Sequence, residues 1–341
     1  MKLLVTGGCG FLGSNAVADA LERGDEVLVL DNLSRVGAEE NLKWLQGKGL
    51  NNFKRTDVTA TQEVDAAVRG FAPDGIFHLA GQVAMTTSLK DPRGDFETNV
   101  VGGMNVLEAV RRLAPKALVV YSSTNKVYGD LARVPFEEKA TRYVSPGYAH
   151  GFDESLPLDF QSPYGCSKGA VDQYMLDYHR MFGVRTVVFR HSSIFGGRQY
   201  STFDQGWIGW FAAQAVAAAA GKLKGPVDVA GDGKQVRDVL FASDIVACYR
   251  AALAAKPEAL GQAFNIGGGM ANSLSLIELF GKLGARLGVK LEMRHNAWRV
   301  GDQKVFVADT RKAERLLGWR PRVGVDEGLD RMLAWVKSLG R

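Results

Sequence analysis

Short apolar runs alternate with amphipathic stretches along residues 1–190. Residues 2–6, 26–30, 53–55, 75–79, 116–121 and 184–189 are brief and mostly apolar, which predicts buried strands. Between them, apolar positions at helical spacing predict helices through Leu21, over 61–68, over 99–113 and over 164–181. Repeated strand–helix units predict an α/β fold with a doubly wound parallel sheet. From Thr202 the alternation breaks down. An alanine-rich helix is predicted over 209–219, and a small hairpin from 227–229 and 235–239 around Gly231-Asp232-Gly233-Lys234. A strand over 263–266 precedes a Gly267-Gly268-Gly269 loop, and further helices are predicted over 275–287 and 326–337. The chain therefore divides into a larger domain, mainly 1–190, and a smaller lobe, mainly 191–341, with strand 263–266 a candidate to return to the main sheet. Segment 136–161 is long and polar and contains Tyr143, Tyr148 and His150; it reads either as surface decoration or as a lid.

The first strand runs into Gly7-Gly8-Cys9-Gly10-Phe11-Leu12-Gly13, and the second ends at Asp31. Gly7 permits a tight turn, Gly10 lets a pyrophosphate approach the backbone, and Gly13 lets helix and sheet pack closely. The anion would sit where the helix leaves N–H groups unpaired. With an acid 18 residues after Gly13 at a strand end, the pattern reads as a Rossmann-type dinucleotide site. A carboxylate at Asp31 accepts ribose hydroxyls and repels a 2′-phosphate, so the expected cofactor is NAD rather than NADP. Arg35 could pair with such a phosphate but is read as a surface residue. Asp57 could reach the adenine amine or cap the next helix. His78, inside a strand, reads as a packed or hydrogen-bonded histidine.

The fifth strand delivers Ser122, Ser123 and Thr124 at its carboxyl end, where open parallel sheets bind ligands. Tyr164 and Lys168 lie four residues apart on a helix with Pro163 in its first turn, so both side chains lean the same way. A phenol beside an ammonium can exchange a proton, because the positive charge favours phenolate.

Composition narrows the classes. The 42 Lys and Arg exceed the 37 Asp and Glu by only five, scattered without a basic block, so no nucleic-acid partner is expected. Three cysteines without paired spacing (Cys9, Cys166, Cys248) indicate neither a disulfide framework nor a metal cluster. The apolar helix candidate over 207–220 is too short and interrupted for a membrane span. No signal peptide is recognised, and a cytoplasmic protein is expected.

The glycine turn, the strand-end Ser/Thr and the Tyr164–Lys168 pair together resemble the extended short-chain dehydrogenase/reductase family, which holds nucleotide-sugar epimerases, dehydratases and reductases. The resemblance covers essentially the whole chain. Thr124-Asn125-Lys126-Val127-Tyr128-Gly129, Leu158-Asp159-Phe160, 162–168, Arg190-His191-Ser192-Ser193, Gly197-Arg198-Gln199 and Phe203-Asp204-Gln205-Gly206-Trp207 are similar to its CDP-tyvelose (CDP-paratose) 2-epimerase branch. The resemblance implies that Tyr164 is the general base and acid, that Lys168 lowers its pKa and holds the nicotinamide ribose, and that Thr124 binds the reacting hydroxyl. Ser123 is the rival to Thr124. Further implied cofactor contacts are Phe11, Leu12, Asn32, Val58, Leu79, Ala80, Gly81, Asn99, Ser122 and His191, beside Gly7, Gly10, Asp31 and Asp57. His191 reads either as orienting the sugar or merely as packing. Arg237 and Arg299 match arginines that grip the diphosphate, with Asp238 positioning Arg237 or the loop. Ser193, Arg198, Gln199, Asp204, Gln205 and Trp207 are candidates for contacts to the substrate.

Departures from the family pattern also inform. Dehydratases of the family carry an Asp-Glu pair directly after the threonine; here Asn125 and Lys126 stand there, which disfavours dehydration. Cys166 and His191 match the residue types of the fucose-synthase type, but Cys166 lies two residues past Tyr164, should point away, and reads as a small buried residue. The implied activity is reversible inversion at C2 of a CDP-linked dideoxyhexose with NAD. The alternatives are a UDP-sugar 4-epimerase of the same family and a catalytically silent NAD-binding scaffold, against which Tyr164, Lys168 and Thr124 argue. The 99–113 and 164–181 helices resemble those that pair between subunits in the family, so a homo-oligomer, dimer or tetramer, is expected.

Overall fold

Each apolar run of the first half has a hydrogen-bonding neighbour, and together they make one parallel sheet. The computed structural model describes residues 1–340. Its main strands are β1 (Lys2–Thr6), β2 (Glu26–Asp31), β3 (Phe53–Arg55), β4 (Gly75–His78), β5 (Leu118–Thr124), β6 (Arg185–His191) and β7 (Gln262–Ile266). They lie in the order β7-β6-β5-β4-β1-β2-β3, all parallel. Alternate residues serve opposite faces. Leu3, Val5, Val29, Phe77 and Val120 enter one core, and Leu4, Leu28, Ile76, Val119 and Tyr121 the other. Two covered faces explain why these strands read as nearly continuous apolar runs.

Strand order reverses beside β1. Thr6 is opposite both Leu30 and His78, and further along the sheet Thr124 is opposite His191. The carboxyl ends of β1, β4, β5 and β6 therefore open on one side, next to a topological switch point. β5 continues past Tyr121 through Ser122, Ser123 and Thr124, because β6 supplies partners for these polar residues. The 99–113 helix begins differently from its prediction: Glu97–Val101 forms a π-turn that leads into the Gly102–Leu113 helix. Asn99 lies in this widened turn, a feature frequent at functional sites.

The hairpin expected around Gly231–Lys234 does not form. Val227–Ala230 pairs in parallel with Met293–Asn296, while Val236–Phe241 pairs with Ser273–Ser275, Val305–Phe306 and Ser193–Phe195. Gly231 and Gly233 both hold positive φ (76° and 81°), so the connection bends twice and sends the two strands to different sheets. Helices Trp207–Ala219, Leu276–Leu287 and Val325–Ser338 bury Phe211, Leu279 and Met332 against these strands. Ser275 and Glu278 close a reciprocal capping box on the second of them. Buried Asp238 accepts N–H bonds from Gly269 (3.1 Å) and Ala308 (3.2 Å), so it fastens the glycine loop rather than Arg237. Tyr143 and Phe152 pack with Tyr128 and Phe306, which fixes the 136–161 segment to the second half of the chain. Among the described residues no helix is long and apolar enough to cross a membrane.

Candidate active site

A cavity of about 510 Å³ runs from the glycine turn to the Arg237 and Arg299 side chains. No residue of 136–161 lines it. At one end, Gly7 turns at φ 69°, and a Cβ there would stand 2.6 Å from Ala80 N. Gly10 begins the Phe11–Glu22 helix, which has no side-chain cap and no acid in its first turn. Gly10, Phe11 and Leu12 face the cavity, so this end offers N–H groups to an anion. Asp31 Oδ2 accepts from Cys9 N at 2.9 Å and Oδ1 from Leu33 N at 2.8 Å. Asp31 lines the cavity, and a carboxylate has acceptor capacity beyond these bonds for a ribose hydroxyl. Burial raises the Asp31 pKa while these backbone bonds oppose it. Donors without partners beside a glycine cradle, followed by a carboxylate, fit a dinucleotide.

Asn32, Asp57, Val58, Leu79, Ala80 and Gly81 line the same end. Asp57 is already engaged by Thr59 Oγ1 (2.7 Å) and Asn32 Nδ2 (2.7 Å), and it caps this local turn rather than the helix beyond. Asn99 does not reach the cavity. It is buried behind it, where Oδ1 accepts from Gln82 N at 3.0 Å and Nδ2 donates to Ser167 at 2.9 Å, holding the Gly81 turn in place. Arg35 is exposed, as expected of a surface residue, and its guanidinium reaches the Gln205 amide oxygen, linking the loop after Asp31 to the second half of the chain.

Midway along the cavity, Tyr164 and Lys168 project from the Ser162–Phe182 helix. Tyr164 faces Thr124 at the end of β5. Burial pushes the Tyr164 phenol up to about 12, against the opposing effect of the Thr124 hydroxyl. Burial also pushes the Lys168 ammonium down to about 7, against the attraction of Asp95 and Asp172. Desolvation sets the direction of the phenol's shift, and Lys168 is not among its causes. Lys168 Nζ instead sits 4.3 Å from the centre of the Tyr121 ring.

The two rival hydroxyls are separated by geometry. Ser123 Oγ donates to buried Asp172 at 2.7 Å, and Asp172 is paired with Arg190 at 2.8 Å. Thr124 has only a long 3.4 Å contact to Asn125 Oδ1, an N–H from Lys126, and Tyr164. Thr124→Ala should therefore lower turnover roughly 10-fold or more, the size of a lost substrate hydrogen bond. Ser123→Ala should cost less, and steady-state assays giving the reverse ranking would reassign the hydroxyl.

His191 Nδ1 lies 3.2 Å from Ser122 Oγ and Nε2 3.4 Å from Tyr249 OH, and burial pushes its pKa to about 3, so it is a neutral wall residue. His78 is held by Thr6 Oγ1 at 2.8 Å inside the sheet. Cys166 faces away from the cavity as its spacing requires, but it is exposed rather than buried, since that helix face meets solvent.

At the far end, Arg237 donates to Asp302 at 2.6 Å, and Arg299 donates to Phe203 O at 3.3 Å. Ser193 Oγ accepts from Trp207 Nε1 at 3.0 Å. Gln199 lines the cavity with its amide oxygen unpartnered. The Arg198 guanidinium is clamped between the rings of Trp44 (4.2 Å) and Trp335 (4.7 Å), a contact no local pattern marks.

The family described as GDP-mannose 4,6 dehydratase matches residues 4–332 of this sequence. The chain belongs to that extended short-chain dehydrogenase/reductase family. It is similar to "CDP-paratose 2-epimerase" of Salmonella typhi, 51% identical over 339 residues that span 99% of this chain and 100% of the relative. Among solved structures of the family, a UDP-glucose 4-epimerase from Thermotoga maritima with UDP-glucose superposes with TM-score 0.85 at 28% identity, covering 100% of both chains. A Thermus thermophilus UDP-glucose 4-epimerase in complex with NAD gives TM-score 0.81 at 30% identity over 99% of each chain.

Four residues of this family site lay outside the reading of motifs. Asp95 accepts from Ser167 Oγ at 2.5 Å and Gln82 Nε2 at 2.9 Å, and with Asp172 it places negative charge near Lys168. Asp302 joins Arg237 to Lys126. Gln303, fully buried, accepts from Asn125 Nδ2 at 2.9 Å. Asp172 stands one helical turn after Lys168, a spacing that could have flagged it; Asp95, Asp302 and Gln303 come from distant segments.

Proposed function

We propose that this chain is an NAD-dependent 2-epimerase that interconverts CDP-paratose and CDP-tyvelose through a transient 2-keto sugar, in cytoplasmic deoxysugar and polysaccharide biosynthesis. It is a nucleotide-sugar epimerase of its family, and its cofactor is NAD. The observation that carries the reading is the full-length 51% identity to CDP-paratose 2-epimerase, in a chain whose Tyr164 and Thr124 meet inside the cavity. Bound NAD supplies a reversible hydride acceptor. The chain supplies the proton exchange: Tyr164, as phenolate, takes the proton of the 2-hydroxyl and as phenol later returns it, while Thr124 orients that oxygen. Asn125 and Lys126 are tied to Gln303 and Asp302, which leaves no carboxylate pair after Thr124 for loss of water.

Inversion follows from geometry. A 2-keto carbon is planar, so its configuration is set by the face that is reduced. If Arg237 and Arg299 hold the diphosphate while the sugar ring turns, the opposite face is presented. The Ser162–Phe182 helix also exposes Tyr174, Met181 and Phe182, which supports assembly into a dimer or tetramer that sedimentation would register. A panel of CDP- and UDP-sugars tests the assignment. CDP-paratose should yield CDP-tyvelose without added reductant, and conversion of UDP-glucose to UDP-galactose instead would establish the 4-epimerase alternative.

A further inference from the structure

Lys126 spans the distance between the proton-exchange pair and the arginines at the far end. Its backbone N–H donates to Thr124 Oγ1 at 3.2 Å, which fixes the start of the side chain beside the reacting hydroxyl's partner. Its ammonium ends at the opposite cluster, donating to Gly301 O at 3.1 Å and to Asp302 Oδ1 at 3.4 Å. Arg237 donates to the same Asp302 oxygen at 2.6 Å. An ammonium carries three N–H bonds. Two have acceptors here, and the third is available at the cavity wall that Lys126 helps to form. Lys126 and Arg237 share one carboxylate, Asp302, and Arg299 lines the same cavity, so positive charge exceeds negative among these four side chains. Burial and the two neighbouring arginines press the Lys126 pKa down to about 8, a strain that an incoming anion relieves.

The chemistry of a 2-epimerase asks for a cation in this place. C2 of the sugar is bonded directly to C1, and C1 carries the oxygen of the β-phosphate. When the 2-hydroxyl meets Tyr164 and Thr124, the β-phosphate must lie within one side chain's length of them. In a 4-epimerase the reacting carbon is across the ring from C1, and no cation is needed so close. We propose that Lys126 binds the sugar-proximal β-phosphate of the nucleoside diphosphate sugar and so brings C2, rather than C4, to Tyr164. The placement at C2 rests on the function proposed above; the phosphate contact rests on the geometry of Lys126 alone.

The test compares ligands that differ by one phosphate. CDP and CMP are titrated into the NAD-loaded wild type and into Lys126→Met and Lys126→Gln, with thermal melting to confirm folding. The third variant, Lys126→Arg, keeps the charge. The proposal expects CDP binding to weaken roughly 10- to 100-fold in the neutral variants, the cost of a lost charge-assisted bond, with CMP binding unchanged. Lys126→Arg should recover most of the CDP affinity. With CDP-paratose as substrate, KM should rise more than kcat falls. Equal weakening of CDP and CMP, or unchanged CDP affinity, would overturn the phosphate contact. Should the wild type leave CDP-paratose unconverted, the C2 reading fails, while a CDP-specific loss in the variants still upholds the contact.

Discussion

Tyr164→Phe is expected to lower turnover by at least roughly 100-fold with little change in substrate binding. The ring that fills the space between Thr124 and the Ser162–Phe182 helix is kept, so the cavity wall and its packing persist. What disappears is the oxygen that faces Thr124 from the other side of the site. No nearby group replaces it: Ser123 is committed to Asp172, and His191 is held neutral between Ser122 and Tyr249. Steady-state kinetics, with CDP affinity measured separately, decides the matter. Near-normal kcat in this variant would remove Tyr164 from the proton path.

Gly13→Ala should strip the protein of NAD and destabilise it by about 3 kcal/mol, the upper range for overpacking a tight site. A Cβ at Gly13 would overlap the Gly7 carbonyl oxygen and stand 2.7 Å from Gly8 Cα. Both are backbone atoms, so no side-chain rotation relieves the clash. The Phe11–Glu22 helix has to withdraw from the turn, and its free N–H groups move with it. Denaturing equal amounts of wild type and variant and quantifying the released NAD reads the effect directly. NAD content equal to wild type would show that the helix does not need so close an approach.

Which features were legible in the amino-acid order follows from the range of the interactions that make them. Gly7, Gly10 and Gly13 act within one turn, Asp31 at the end of the next strand, and Tyr164 with Lys168 on one helix face; spacing alone brings each set together. The main parallel sheet was legible for a similar reason, since strands buried on both faces have to be apolar throughout. The second half obeys longer-range rules. Val227–Ala230 lies next to Met293–Asn296 and not next to Val236–Phe241, so a hairpin reading built on neighbours in sequence had to fail. Arg198 between Trp44 and Trp335, and Asp302 between Lys126 and Arg237, each join segments more than a hundred residues apart for at least one partner. The Tyr164 phenol shows a different limit. Its proximity to an ammonium was legible, but the burial that governs its pKa belongs to the folded cavity.

The central claim is that one carbon, C2, is oxidised and reduced again within a single active site. Following deuterium at C2 tests it most directly. CDP-paratose carrying deuterium at C2, turned over in ordinary water without added reductant, should give CDP-tyvelose that retains the label at C2. Unlabelled substrate run in heavy water should give product free of deuterium there. Entry of solvent deuterium at C2 would mean that a proton is abstracted from carbon, and would contradict this account.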